Sequence, residues 1–482
     1  MSHPAQPAAT PAELRKVLLP LVGGAFLVVL NETILSVAVP SIMRDLDVSA
    51  NTAQWVTSAY MLTMAAAIPA SGFLLRRMGA RQLFVVAMVL FSAGALMAAL
   101  SYTFPLLVAA RVVQACGAAV MMPVLMATVA AMVPPERRGT VMGTATIVVG
   151  AAPALGPATS GFGLSLVGWH GVFWTALGVA LLILLLGLRS LPPRQAHEPV
   201  PIDWWSVALS LPAFGGIVLG LSLVESDVPA AIACLAAGLL VLAGFVRRQL
   251  HTARTGRAYL DLRTFRSAGF TAAIAAMAAT SVILFATVSI VPLLMQNVLG
   301  VSTAVTGLAM LPGGAMIAIL SPVTGRLHDR FGAPRVILPA ACVVLAATVA
   351  FTQIPRSAGA AAFSAAFITL HIGFAGLFTP LMTLALSSVS REHQPDAGAT
   401  FSTTQQLFGA AGAAGLIAIM QGMSTHGSEV TVRGVHGAFT AAAVSAAALL
   451  AITVWITLRT RRDRAAGEPD TRTRPVEPAA GG

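Results

Sequence analysis

Apolar runs of about 20 residues follow one another along almost the whole chain, and that succession limits its fold more than any other feature. Fourteen runs can be traced among the 482 residues: 17–40, 52–75, 82–101, 104–133, 139–163, 169–188, 204–224, 229–246, 269–296, 304–324, 334–353, 358–388, 398–422 and 436–458. A helix needs about 20 apolar residues to cross a bilayer core, where the backbone must satisfy its own hydrogen bonds. Each run is therefore expected to be a transmembrane α-helix, which makes the fold class all-α integral membrane with 14 spans. The balance of residue types agrees: 57% are hydrophobic and only 10% charged, with a mean hydropathy of +0.83, against about 25% charged in a soluble domain.

On a soluble domain a net charge of +11 would suggest nucleic acid. Here the basic residues fall between apolar runs. With the N-terminus inside, 25 of the 29 Lys and Arg lie on the cytoplasmic side. Three (Arg44, Arg356 and Arg433) lie outside, and Arg111 lies within a span. Positive loops stay inside, so both termini are expected in the cytoplasm and no nucleic-acid partner is needed. Residues 1–16 carry no cleavable signal and form a short cytoplasmic segment; the tail, 459–482, is polar, of mixed charge and expected to be disordered. The stretch RAYLDLRTFRS, 257–267, is expected to lie along the inner surface as a short helix. Cys116, Cys234 and Cys342 sit in apolar runs without metal-ligand spacing and read as packing residues.

The chain also repeats itself. SGFLLRRMGARQLF (71–84) and TGRLHDRFGAPRVIL (324–338) share G-x-L-x-x-R-x-G-A, with Gly72 and Gly325 253 residues apart. These copies end the second and tenth runs, so eight spans separate them. A duplicated six-helix unit would put six between them. Two extra helices are therefore expected in the middle, giving a 6+2+6 arrangement: bundles at 17–191 and 267–458, and a two-helix linker at 192–266. Repeats of this kind are frequent in secondary transporters.

GRLHDRFG resembles the cytoplasmic loop motif of the major facilitator superfamily (MFS), and LNETILSVAVP (30–40) resembles the first-helix motif of its fourteen-helix drug:proton antiporter branch. Arg111, Gln114 and Gly117 fit that family's R-x-x-Q-x-x-G. Gly150, Pro153, Gly156 and Pro157, followed by Gly161, fit its antiporter motif in the fifth span. WHGVFW (169–174), YLDLRTF (259–265) and the run from Pro292 to Gly314 fit as well, so the likeness covers about 17–458. The resemblance implies an MFS fold and proton-coupled efflux by alternating access. It also implies a seal between the fifth span and the tenth, where Pro312, Gly313 and Gly314 match in kind.

Glu32 is the one acid well inside a span. Ionisable groups at membrane depth cost about 2.5–3.5 kcal/mol on insertion scales and by default mark function. Glu32 is thus the leading proton-coupling residue, and Arg111, at similar depth, its expected partner; His371 is a weaker relay candidate. The family's usual Asp falls at Asn31, one residue before Glu32. Two placements remain open: Glu32 faces the cavity, or Asn31 faces it and Glu32 faces the fourth span. Asn31, Thr33, Trp55, Tyr60, Gln114, Gln296, Asn297, Gln405, Gln406 and Phe408 are the expected cavity residues. Few polar anchors in an adaptable apolar wall suit lipophilic substrates that are monocationic, zwitterionic or neutral.

Gly72, Arg77, Gly79 and Arg81, with Gly325, Asp329, Arg330 and Gly332, are expected to form the cytoplasmic gate. Asp329 would accept from the N-terminus of the helix that follows it and from Arg330 or Arg335. Arg76 stands where the first copy should have its Asp, which weakens that half unless Glu136 substitutes. Partners are then a lipophilic small molecule, protons and the bilayer of a bacterial inner membrane. No cofactor is expected beyond the proton gradient, nor any metal, and the chain is expected to be a monomer. No phosphate-binding G-x-x-x-x-G-K-[ST] occurs. The alternatives are a dedicated exporter of one endogenous metabolite or self-made antibiotic and, far behind, a membrane enzyme.

Overall fold

The computed structural model describes residues 11–53, 55–192, 203–224, 227–253, 260–423 and 431–465; the side chains of 148–166 are outside the description. Among the described residues, each of the fourteen apolar runs is mostly helical. In chain order the helices are α1 (Pro11–Asp45), α2 (Ala50–Ala53), α3 (Trp55–Ala67), α4 (Ala70–Ala99), α5 (Phe104–Ala118), α6 (Met121–Met132), α7 (Arg138–Ser190), α8 (Trp204–Ser222) and α9 (Val228–Thr252). After them come α10 (Ala268–Leu293), α11 (Thr303–Phe331), α12 (Ala333–Gln353), α13 (Gly359–Ser387), α14 (Gln394–Gly422) and α15 (Val432–Ala465). Ten helices among the described residues are long and apolar enough to cross a bilayer.

The repeat is written in the backbone. Within α4, Gly79 adopts φ 76°, ψ 165°; between α11 and α12, Gly332 adopts φ 81°, ψ 163°. These glycines are also 253 residues apart. A side chain at such positive φ would meet its own backbone, so glycine alone reverses the chain there without strain. Gly168 breaks α7 in a similar way, at φ 65°, and divides the fifth apolar run from the sixth.

A buried core extends through the helices on both sides of the α8–α9 pair. α7 packs along α11 and α1, α10 along α14, and α12 along α13 and α15; α8 and α9 pack on each other, with α8 also against α3 and α14. In the α7–α11 seam, Gly139 and Gly143 let the two backbones approach closely. A Cβ on Gly143 would collide with the Ser321 carbonyl and lie 2.9 Å from Pro322 Cα.

The helices at the two ends reach beyond the expected spans. α1 begins inside the segment expected to precede the first span, and α15 runs on to Ala465; residues 1–10 and 466–482 lie outside the description. In the 257–267 stretch, 257–259 are also outside it. The remainder forms a short 3-10 turn, Leu262–Arg266, started by Asp261, whose carboxylate accepts from the Arg263 backbone N–H.

Candidate functional site

Arg111 is the centre of a buried polar cluster near one end of the first helices. α5 starts at Phe104–Pro105, and Arg111 and Gln114, three apart, share one helix face. Arg111 is 0% exposed, Gln114 0% and Asn31 2%. The guanidinium donates from Nε to the Val56 carbonyl at 3.2 Å and from Nη1 to Asn31 Oδ1 at 3.0 Å and Gln114 Oε1 at 2.5 Å. Its Cζ sits 3.8 Å from the centre of the Tyr60 ring, a cation–π contact. Four helical positions on α1, α3 and α5 thus hold one charge.

The partner expected for Arg111 is not the one found. Asn31 takes the hydrogen bond, and Glu32 forms no ion pair or hydrogen bond among the described residues. Successive helix residues point about 100° apart. With Asn31 turned to α5, Glu32 is carried to a half-buried position at the edge of the cluster, close enough to act electrostatically on Arg111 and Tyr60. Of the two placements left open, the one with Glu32 against the fourth span is not the one seen: Asn31 bonds Arg111 of α5. Three atoms of the cluster, Asn31 Nδ2, Gln114 Nε2 and the Tyr60 hydroxyl, are buried without a hydrogen-bond partner. Each costs roughly 1–3 kcal/mol.

The other expected cavity residues lie on α1, α3 and α14 and in the turn that follows α10. Thr33 donates back to the Leu30 carbonyl at 2.9 Å, within its own helix. Trp55 is 42% and Phe408 43% exposed. Gln296 and Asn297 lie in a π-turn, Leu294–Val298, that continues α10 just after Pro292, and Gln405 and Gln406 are half-buried on α14. His371 is buried on α13, its Nδ1 2.8 Å from the Phe367 carbonyl and its ring 4.0 Å from that of Phe367. A carbonyl only accepts, so Nδ1 carries the proton and donates. Gly313 of α11 abuts Phe367 and His371 of α13, whereas the sequence expectation set it against the fifth span. Gly150, Pro153, Gly156, Pro157 and Gly161 lie on helical backbone in α7, with their side-chain surroundings outside the description.

At the end carrying both loop repeats, two clamps join elements from opposite halves of the sequence. Asp329, in the last turn of α11, accepts from the Gly139 and Thr140 backbone N–H groups at 2.8 Å each and from the Thr140 hydroxyl at 2.7 Å. It therefore caps the start of α7, satisfying N–H groups that have no partner in their own helix; the expected acceptance from α12 is corrected. Gly325 packs on Gly139, backbone to backbone. Arg76, where the sequence pattern lacked an acid, pairs with Asp396 in the first turn of α14. Asp396 also accepts from the Asp261 N–H at 3.3 Å, and Gly72 lies against Pro395 and Asp396. Glu136 does not take this part; it is exposed. Arg81 donates to the Leu188 carbonyl at 2.8 Å, and Arg330 stacks over Phe331 at 5.1 Å.

Sequence reasoning missed Asp396 and Arg138. The first had a signal: an acid in the first turn of a helix, directly after a proline. Arg138 is buried and ties α7 to the end of α6 through the Val133 and Ala130 carbonyls, at 3.0 and 2.6 Å.

The family model described as Major Facilitator Superfamily matches residues 21–413. The lincomycin resistance protein LmrB of Bacillus subtilis is 31% identical over 84% of this chain and 85% of its own length. The tetracenomycin C resistance and export protein of Streptomyces glaucescens is 29% identical over 84% and 75%. In shape, the human organic anion transporter MFSD10 superposes with a TM-score of 0.66 at 17% identity, covering 92% of this chain and 100% of that one.

Proposed function

We propose, from the premise that this chain belongs to the Major Facilitator Superfamily and is a transporter rather than an enzyme, that it exports lipophilic drug-like compounds in exchange for protons. The observation that carries the reading is Glu32, half-buried within an apolar helix and unpaired beside the Arg111 cluster. An acid in that position binds and releases a proton as its access to water changes, and its neighbours Arg111 and Tyr60 feel the change. The Asp329 and Arg76 clamps join the two halves of the sequence at one end, and a gate that closes one end at a time is what alternating access requires. We assign the loop-repeat end to the cytoplasm and the chain to the fourteen-helix antiporter branch, with the 6+2+6 arrangement, in a bacterial inner membrane. The chain works as a monomer and draws its energy from the proton gradient.

The test is efflux from proteoliposomes holding the full chain, with and without a pH gradient. Wild type should accumulate substrate against its gradient only when protons flow. Glu32→Gln should bind substrate yet lose gradient-driven accumulation; normal accumulation by that variant would refute the coupling assignment.

A narrower reading draws on the relatives, which are named for resistance to single compounds. A resistance panel in a drug-sensitive host separates the two. Protection against several unrelated lipophilic drugs supports the broad exporter, and protection against one class supports the dedicated one.

A further inference from the structure

The Arg111 cluster has a surplus of donors. A guanidinium donates only, so Asn31 and Gln114, which both contact Nη1, must turn their amide oxygens inward. Their NH2 groups then point away from Arg111, and both are buried without a partner, as is the Tyr60 hydroxyl. The three come from α1, α3 and α5 and surround one positive charge. No carboxylate is bonded to that charge: its acceptors are two amide oxygens and the Val56 carbonyl. A carboxylate presents about four lone-pair sites and a full negative charge, whereas a water presents two and none. Of the two, the carboxylate matches the donor count and the charge.

We propose that this donor set is a subsite for the acceptor-rich end, a carboxylate above all, of the lipophilic compounds the chain moves. The inference rests on the exporter reading and narrows it: among monocationic, zwitterionic and neutral compounds, the zwitterionic ones fit. Their carboxylate meets the Tyr60, Asn31 and Gln114 donors beside Arg111, and their basic group lies toward Glu32, the unpaired acid at the cluster's edge. Asn31 in place of an acid is what leaves Arg111 free to take the charge of a ligand.

Rhodamine 110, which carries a free carboxyl, and its methyl ester rhodamine 123 are suitable probes, read by fluorescence anisotropy with the full-length protein in detergent micelles. Wild type should bind the acid about tenfold more tightly than the ester, the scale of a charge-assisted hydrogen bond. Tyr60→Phe and Gln114→Leu should each weaken the acid more than the ester, bringing the acid down to about the ester's affinity. Asn31→Asp fills the site with the chain's own carboxylate and should reverse the preference. Equal affinity for the two dyes, binding of neither, or variants that weaken both alike would overturn the subsite, the last marking the donors as a site for ordered water. Gradient-driven export of the ester is scored separately. If export fails while the acid preference stands, the exporter reading falls and the subsite survives.

Discussion

Arg76 of α4 and Asp396 of α14 form an ion pair in which Asp396 is 2% exposed. Arg76 stands 253 residues before Asp329, the spacing of the loop repeat. In one copy an acid receives the bare N-terminus of α7; in the other an arginine receives an acid that sits on the N-terminal turn of α14. The same joint is built twice, with the sign of the charge inverted.

Removing one partner of a buried pair leaves the other charge unmatched, at a cost of about 3–5 kcal/mol. Arg76→Ala, which strands the more deeply buried Asp396, should lower stability more than Asp396→Asn. The double exchange Arg76→Asp with Asp396→Arg should recover most of the loss. Thermal unfolding in detergent reads all three. Independent, additive effects of the two single reversals would refute the pairing.

Asp329 satisfies two backbone N–H groups and one hydroxyl at the start of α7. Asp329→Ala should destabilise by about 1–2 kcal/mol and raise amide hydrogen exchange at 139–143. Asp329→Asn, which keeps an acceptor, should fall between. Exchange unchanged in the Ala variant would show that the cap does not hold the α7–α11 seam.

Glycines in the seam should be far less replaceable than glycines elsewhere. A Cβ at Gly143 would strike the backbone of Ser321 and Pro322, while one at Gly178 meets nothing within 4 Å. Gly143→Ala should lower the unfolding temperature. Gly178→Ala, inside α7, should raise stability by about 0.5–1 kcal/mol through helix propensity. Equal effects would argue against close packing.

Asp261 gives a pH signature. Burial pushes its carboxyl up, but the hydrogen bonds and charge of Arg263, with His393 nearby, outweigh burial and hold it below the ordinary Asp range. A carboxylate depressed in the folded state stabilises at pH above its unfolded value, about 3.9, and the stabilisation is lost as pH falls through the folded value. The stability gap between wild type and Asp261→Asn should therefore stay constant from about pH 8 to pH 5 and close on further acidification. A gap that already shrinks between about pH 8 and pH 5 would refute the assignment to Asp261.

Much of the outline was legible before the structure. Apolar run length marked the helical segments, since a chain in lipid must bond its backbone to itself. The loop repeat marked Gly79 and Gly332, whose matching dihedrals reflect one local requirement met twice. The site was legible only in part, as a few of its residues rather than as a set of contacts. Asn31, Tyr60, Arg111 and Gln114 do come together, but Glu32 does not join Arg111, because a one-residue step along α1 rotates it away. Asp396 was overlooked because its partner is contributed by another helix more than 300 residues earlier.

Hydrophobic run length, glycine at turns and the internal repeat act locally or through composition, so the sequence alone determined a multi-span helical chain that carries one loop motif twice. Which residue meets Arg111, which acid answers Arg76 and which helix Asp329 caps depend on helix rotation and on the packing of segments far apart in the chain. Those were decided only when the helices closed on one another, because a hydrogen bond needs its two atoms within about 3 Å and no pattern along one strand of sequence sets that distance.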